Sequence, residues 1–225
     1  MNRKIIVTDD NSKSLLIPEI NETYHSINGA MNEALHVFIT NGLIPMADKK
    51  HIRIFEMGFG TGLNALLSLN CIKNTPIYIA YETIEKFPVE LELINQLQHP
   101  QTTGLTNLQS EFETMHSCQW NETVEISSAF RFKKNKSDIK DIELPLNNYD
   151  VIYYDAFSPK IQPELWTTSI LTKLYASMVE GGRLTTYCAQ GQFKRNLKEV
   201  GFSVHGLPGP KGKREMTLAI KPLVN

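Results

Sequence analysis

The stretch RIFEMGFGTGLNALLSL, from Arg53 to Leu69, limits the possible folds of this chain more than any other segment. It starts apolar, passes through Gly58, Gly60 and Gly62 spaced two apart, and turns apolar again with a helical rhythm. That pattern predicts a strand, a tight turn and a helix. Glycines in such a turn leave backbone N–H groups unblocked and let a ligand approach to contact distance. Close helix–strand packing is the plainer explanation, but three glycines in five residues exceed what it needs.

From His51 onward the pattern alternates. HIRIFEM reads as a strand, Thr61 to Ile72 as a helix, and PIYIAYETI as a second strand. Pro88 suits the first turn of a helix carrying Val89, Leu93, Ile94 and Leu97. His99 to Trp120 reads as helical in part. TVEISSAFRF is expected as a third strand, and YDVIYYDAF as a fourth, apolar enough to be covered on both faces. PELWTTSILTKLYASMVEGG reads as a helix stopped by its two glycines, RLTTYCA as a fifth strand, and GQFKRNLKEVG as a short helix. FSVHGL and REMTLAIKP have no helix between them, so they are expected to pair antiparallel. The expected fold is α/β: a doubly wound, Rossmann-like sheet over residues 49–225 with a terminal antiparallel strand pair. Residues 1–48 read as a small N-terminal extension. It has a hairpin around Asp9 to Ser14, a turn at Asn28-Gly29, and a helix stopped by Asn41-Gly42.

Composition narrows the function classes. The chain has 225 residues, 41% of them hydrophobic, and a net charge of −1. No global basic field points to nucleic acid, so any such contact must be local. The N-terminus lacks the apolar core of a signal peptide, and every apolar run falls short of the ~18 residues a membrane helix needs. Cys71, Cys118 and Cys188 never form CxxC, and no histidines show an HxxxH spacing. The expectations are reduced thiols, a cytoplasmic location, no membrane and no metal.

The dinucleotide fingerprint G-x-G-x-x-G/A fails from Gly58, where Leu63 takes the third place. It passes from Gly60 with Gly62 and Ala65, leaving an NAD-dependent oxidoreductase open. The alternative spacing, E-x-G-x-G-x-G from Glu56, resembles that of S-adenosylmethionine (SAM) methyltransferases. A ribose-binding fold needs a carboxylate at the end of the second strand. Glu85, after the apolar Ile84, is the candidate, with Glu82 the alternative inside the strand. Asp138 in KKNKSDIKD stands where a polar group can meet an adenine amine, although as sequence an exposed charged loop explains it better. Asp155 ends the fourth strand, where ligands of open α/β sheets bind. The stiff loop after it carries Pro159 and Pro163, with Phe157 and Trp166 alongside. An acid with aromatic walls suits a cationic or amine substrate; a helix cap with Phe157 in the core is the competing reading.

Together FEMGFGTGLN, IEKFP, YYDAFSPKIQPELW, GGRLTTYCAQGQFKRNL and GPKGKREMT resemble the MnmC-like methyltransferase domain of bacterial tRNA wobble-uridine modification. TYHSINGAMNEALHVFI adds to the likeness, which runs from about Thr23 to Ile220. A chain of this length is similar to the stand-alone form rather than to the form fused to a flavin oxidase. The resemblance implies methyl transfer from SAM to the aminomethyl nitrogen of 5-aminomethyl-2-thiouridine in the tRNA anticodon loop, on substrate prepared by a separate flavin-dependent enzyme. It implies that Glu56, Gly58, Gly60 and Gly62 form the cofactor loop and that Glu85 holds the ribose. It further implies that Asp155 and Phe157, with Ala156, Ser158 and Pro159, line the reacting site, and that Tyr24 helps wall it. The sequence departs from the family at Ser137-Asp138, where a Gly-Asp is usual, and at Ala156, where a glycine is usual.

Two basic clusters are candidates for tRNA: Phe130–Lys136, and Lys211, Lys213 and Arg214 with Lys194, Arg195 and Lys198. The second flanks a glycine-containing loop that could approach a phosphate backbone. Either cluster also fits a solvated face. The remaining alternatives are a methyltransferase of a small amine and a catalytically silent RNA-binding module.

Overall fold

The computed structural model describes residues 2–224. Strands β1 (Lys4–Val7), β2 (Lys13–Ile17) and β3 (Glu22–Thr23) form a small antiparallel sheet. Helix α1 (Ala30–Ala34) follows and continues as a wider π-helical stretch, Leu35–Leu43, and a 3₁₀ turn, Ile44–Met46. The large sheet then begins with β4 (His51–Met57), α2 (Leu63–Ile72) and β5 (Tyr78–Glu85). Three helices come next: α3 (Leu91–Leu97), α4 (His99–Thr102) and α5 (Gln109–Ser117). The chain ends with β6 (Thr123–Ser127), β7 (Phe130–Lys136), β8 (Tyr149–Tyr154), α6 (Thr168–Ser177), β9 (Met178–Thr186), α7 (Gly191–Val200), β10 (Ser203–Pro208) and β11 (Glu215–Ile220).

The eight-stranded sheet has the order β10-β11-β9-β8-β4-β5-β7-β6. Pairings among β9, β8, β4, β5 and β7 are parallel; β11 against β9, β10 against β11 and β6 against β7 are antiparallel. The doubly wound sheet and its terminal antiparallel pair are therefore as expected. The chain leaves β4 in one direction to β5 and returns on its other side as β8, so the strand order reverses between β4 and β8. Each face carries its own core. One holds the α1 and π-helical residues with Leu63, Leu66 and Phe112; the other holds Leu171 and Leu174 of α6 with Phe193 and Leu197 of α7. Among the described residues no helix is long and apolar enough to cross a membrane.

Four elements differ from expectation, each for a physical reason. The third strand is a hairpin, β6 and β7, because Ser127–Ala129 turns the chain without glycine or asparagine to mark it. Helix α6 stops at Ser177, and the segment MVEGG is the start of β9, with Met178 fully buried and Gly181 at φ 72°. Pro88 precedes α3 rather than opening it: the Arg3 guanidinium donates to the Phe87 and Pro88 carbonyls, which holds that segment outside the helix. Asn41-Gly42 does not stop its helix. Gly42 lies where a Cβ would come within 3.1 Å of both Thr185 Oγ1 and the Tyr153 ring, so its bareness lets the helix press on the sheet. Gly42→Leu should overpack this contact and destabilise the protein by about 1–3 kcal/mol, read as a lower urea midpoint.

Candidate functional site

A crevice of about 290 Å³ opens at the carboxyl ends of β4, β5 and β8. This is where the sheet topology predicts a ligand site. Its floor is the glycine loop, and its walls include Glu85, Asp138, Asp155, Phe157 and Tyr24. The local backbone explains the glycines. Gly58, Gly60 and Gly62 all have positive φ, at 97°, 52° and 76°. A Cβ on Gly58 would sit 2.9 Å from the Asp155 carbonyl oxygen, and one on Gly62 would sit 2.5 Å from His116 Nε2. Both are thus required by neighbouring protein. Only at Gly60 does the missing side chain face the crevice, where a Cβ would meet the Tyr24 ring at 3.2 Å.

Glu85 ends β5 with both carboxylate oxygens turned to the loops. Gly60 N–H donates to Oε2 at 3.1 Å and Phe87 N–H to Oε1 at 2.8 Å. Asp138 stands on the adjoining wall, paired with Lys86 at 3.0 Å. Burial works against its charge, but the Lys140 N–H and the Lys86 ammonium hold its carboxyl below the usual range. Glu82, the alternative to Glu85, is engaged elsewhere, by the Tyr149 hydroxyl at 2.6 Å and the Asn135 amide at 2.9 Å.

Asp155 follows β8 directly, and its N–H continues the pairing by donating to the Met57 carbonyl at 3.1 Å. Its carboxylate faces the crevice and accepts from Asn64 Nδ2 at 2.9 Å. Burial, reinforced by the Glu33 carboxylate, pushes its pKa up to about 7. The loop that follows is held by side chains. Phe157 N–H donates to Gln162 Oε1 at 3.2 Å, and the Trp166 indole donates to the Phe157 carbonyl at 2.9 Å. Trp166 is therefore a buried brace, 4% exposed, and not a wall of the site. Phe157 does reach the crevice and meets Tyr24 edge-on at 5.2 Å.

Glu56 is placed differently from the other loop residues. It is fully buried within β4, does not line the crevice, and accepts from Asn64 Nδ2 at 3.0 Å. Burial, with the Asp155 carboxylate adding to it, raises its pKa to about 8.

Ser158 and Pro159 line a second, more open groove of about 460 Å³, together with Tyr187, Lys213 and Arg214. Tyr187 donates its hydroxyl to the Ala156 carbonyl at 2.8 Å, and the Lys213 ammonium lies 4.0 Å from its ring centre. Lys213 is paired with Glu33, and Lys211 with Asp9 at 3.2 Å. Arg214 is exposed and has no ion pair among the described residues. Arg195 and Lys198 of the same cluster are likewise exposed without an ion pair among the described residues, but Arg214 is the one of the three that lines the groove.

Three residues here escape sequence reasoning. Arg3 donates to the Tyr24 hydroxyl at 2.9 Å, to the Phe87 carbonyl at 2.6 Å and to Glu90 at 2.9 Å, so β1 and the loop after β5 are bound together at the crevice rim. Tyr187 lies just past β9 in RLTTYCA, but nothing in that run shows that its hydroxyl reaches the Ala156 carbonyl. Asn64 did leave a signal: a lone amide in the apolar run that opens α2.

The raised acids carry a stability cost with a definite sign. The pKa of Asp155 in the folded protein lies above its unfolded value near 3.8. The unfolded chain therefore releases that proton first, and stability falls as pH rises from about 4 to 7, then levels. Asp155→Asn should stabilise the protein at pH 8 by roughly 1–3 kcal/mol and leave it unchanged at pH 4, as urea unfolding at the two pH values would show.

Comparison with known proteins places this geometry. The family described as S-adenosyl-L-methionine-dependent methyltransferase matches residues 97–222. The bifunctional tRNA 5-methylaminomethyl-2-thiouridine biosynthesis protein MnmC of Cupriavidus necator is 32% identical over 90% of this chain and 32% of that protein. Its counterpart in Cupriavidus metallidurans is 30% identical, with 90% and 32% covered. The chain thus spans about a third of the length of these relatives. The crystal structure of MnmC2 from Aquifex aeolicus superposes with a TM-score of 0.74 at 26% identity, covering all of this chain and 73% of that one.

Proposed function

The chain belongs to the S-adenosyl-L-methionine-dependent methyltransferase family, and from that premise we propose that it methylates the aminomethyl nitrogen of 5-aminomethyl-2-thiouridine at the tRNA wobble position. Likeness to MnmC proteins over nine-tenths of the chain supports the substrate. The observation that carries the chemistry is Asp155, an acid raised to about 7 that faces the glycine-loop crevice from the neighbouring strand. Family membership sets aside the NAD-dependent oxidoreductase and the silent RNA-binding module. On that reading the reaction takes place in the cytoplasm and calls for a preceding flavin-dependent step that supplies the aminomethyl group.

The residues present fit the cofactor. Glu85, on the crevice wall, would hold the ribose diol through its carboxylate oxygens, and Ile84 and Ile139 would offer apolar surface to an adenine with Asp138 beside them. The bare Gly60 lets the Tyr24 ring pack close over the glycine loop at the crevice. When bound, SAM supplies an electrophilic methyl carried on a sulfonium.

The acceptor nitrogen must be neutral to react. For a primary amine of pKa ~9–10, neutrality at pH 7 costs roughly 3–4 kcal/mol. Desolvation in the crevice lowers the amine and raises the acid, which narrows that gap. Asp155 accepts the departing proton and holds the nitrogen in line, where positioning alone can supply ~7–11 kcal/mol. Phe157 and Tyr24 give the aminomethyl group aromatic walls. The open groove beyond Ser158 and Pro159 leaves space for a flipped-out base, and Arg214 at its edge suits a phosphate.

Mass spectrometry of wobble nucleosides, after undermodified tRNA is incubated with protein and SAM, tests the proposal. A gain of one methyl on the aminomethyl group is expected. Methylation of the free nucleoside but not of tRNA would instead establish a small-amine methyltransferase. Asp155→Asn should keep SAM affinity and lose on the order of 100-fold or more in turnover. Arg214→Glu should raise the tRNA KM severalfold, reduce its salt dependence by about one charge, and leave the SAM Kd unmoved.

A further inference from the structure

We infer that Asn64 is a positioning residue for this transfer: its carboxamide ties the reacting carboxyl of Asp155 to the buried carboxyl of Glu56, and so fixes which Asp155 oxygen meets the acceptor. The inference rests on the role given to Asp155 above.

Asn64 lies in the first turn of α2 and is 4% exposed. Its Nδ2 donates at 3.0 Å to Glu56 Oε1 and at 2.9 Å to Asp155 Oδ2. An amide nitrogen has two hydrogens, so both are committed. Among the described residues, Asp155 is left with Oδ1 uncommitted. The amide spans three elements: β4 through Glu56, α2 through its own backbone, and the end of β8 through Asp155.

Glu56 anchors the far end without charge. Its Oε2, the Asn64 Oδ1 and the hydroxyls of Thr83 and Tyr81 are buried with no hydrogen-bond partner among the described residues. The Thr83 and Tyr81 hydroxyls beside it favour its charge, as Asn64 does, but burial outweighs them and makes the ionised form costly. A protonated Glu56 still offers Oε1 to Asn64 and places an O–H on Oε2. Its pKa, pushed up to about 8 mainly by burial, agrees with that state near neutrality. Asp155 is then the acid that titrates toward the crevice. The groups facing it are Glu56 from β4, Asn64 from α2, Glu33 from α1, Lys213 from the loop before β11, and Tyr187 from the end of β9.

The experiment compares wild type with Asn64→Ala, Asn64→Leu, Glu56→Gln and Glu56→Ala. Three quantities are read: SAM affinity by calorimetry, kcat and KM on undermodified tRNA, and the carboxyl titration of Asp155 by carbon-13 NMR, assigned from its absence in Asp155→Asn. Asn64→Ala should bind SAM within about threefold of wild type, keep the tRNA KM within about threefold, and lose roughly 50-fold or more in kcat. Its Asp155 titration should move to higher pH, because the lost N–H favoured the charged form. Asn64→Leu, which keeps the branched four-atom shape of the side chain without its polar groups, should behave the same and stands in if the alanine protein does not fold. Glu56→Gln keeps an acceptor oxygen without an ionisable proton and should retain more than about a tenth of kcat, whereas Glu56→Ala should fall as far as Asn64→Ala. An unshifted Asp155 titration in the Asn64 variants overturns the inference, and so does a Glu56→Gln protein as impaired as Glu56→Ala. The titration needs no turnover. A wild-type protein that fails to methylate tRNA would therefore defeat the proposed function while leaving this inference to be decided by NMR.

Discussion

The close approach of β4 and β8 at their carboxyl ends is the constraint on which the site depends. The chain leaves β4 through Gly58, and the carbonyl of Asp155 occupies the space a side chain there would need. That contact sets the glycine loop beside the acid that follows β8. The crevice, the loop and the acid are one consequence of two neighbouring strands whose chains depart in different directions. The flanking glycines answer other neighbours, His116 beneath and Tyr24 above, so the bareness of the loop is as much about protein packing as about a ligand.

Charge around the loop is managed by burial. His99 bonds Thr61 Oγ1 at 2.9 Å, and His25 and His116 lie near the same loop. Burial holds all three well toward the neutral form, His25 down to about 4 and His116 down to about 3. Uncharged imidazoles put no positive charge beside a site meant for a cationic cofactor. The acids respond oppositely, since burial raises Asp155 and Glu56. The result is a polar floor with little fixed charge, in which one carboxyl is free to take a proton.

The parts of the site that were legible in the sequence are those set locally. The glycine spacing, Glu85 at a strand end and Asp155 before a proline-stiffened loop each depend on a few adjacent residues, and all three reach the crevice. Asp138, which an exposed loop explained better as sequence, also stands on its wall. Glu56 fitted the same motif, yet strand alternation turned its carboxyl inward, away from any ligand. Arg3 and Tyr187 could not be foreseen, because their partners are set by distant pairings. The misread segments have a related cause. MVEGG is apolar enough for helix or strand, and only its pairing with β8 decides. Asn41-Gly42 looks like a stop until the helix is seen pressed on the sheet. Lys211 and Lys213 looked free as sequence and proved to be neutralised by Asp9 and Glu33 from the N-terminal segment.

The neighbours in the centre of the sheet are far apart along the chain: Ile54 of β4 pairs with Val151 of β8. Parallel pairing across such a separation closes a large loop before any contact repays it, which makes assembly slow. A nascent chain would have β4, β5 and the bare loop in place while the wall bearing Asp155 was still unmade. Until that strand inserts, the inner edge of β4 stands unpaired and open to other chains. The last strand to seat beside it is thus both the carrier of the acid that faces the crevice and the seal on the half-built sheet.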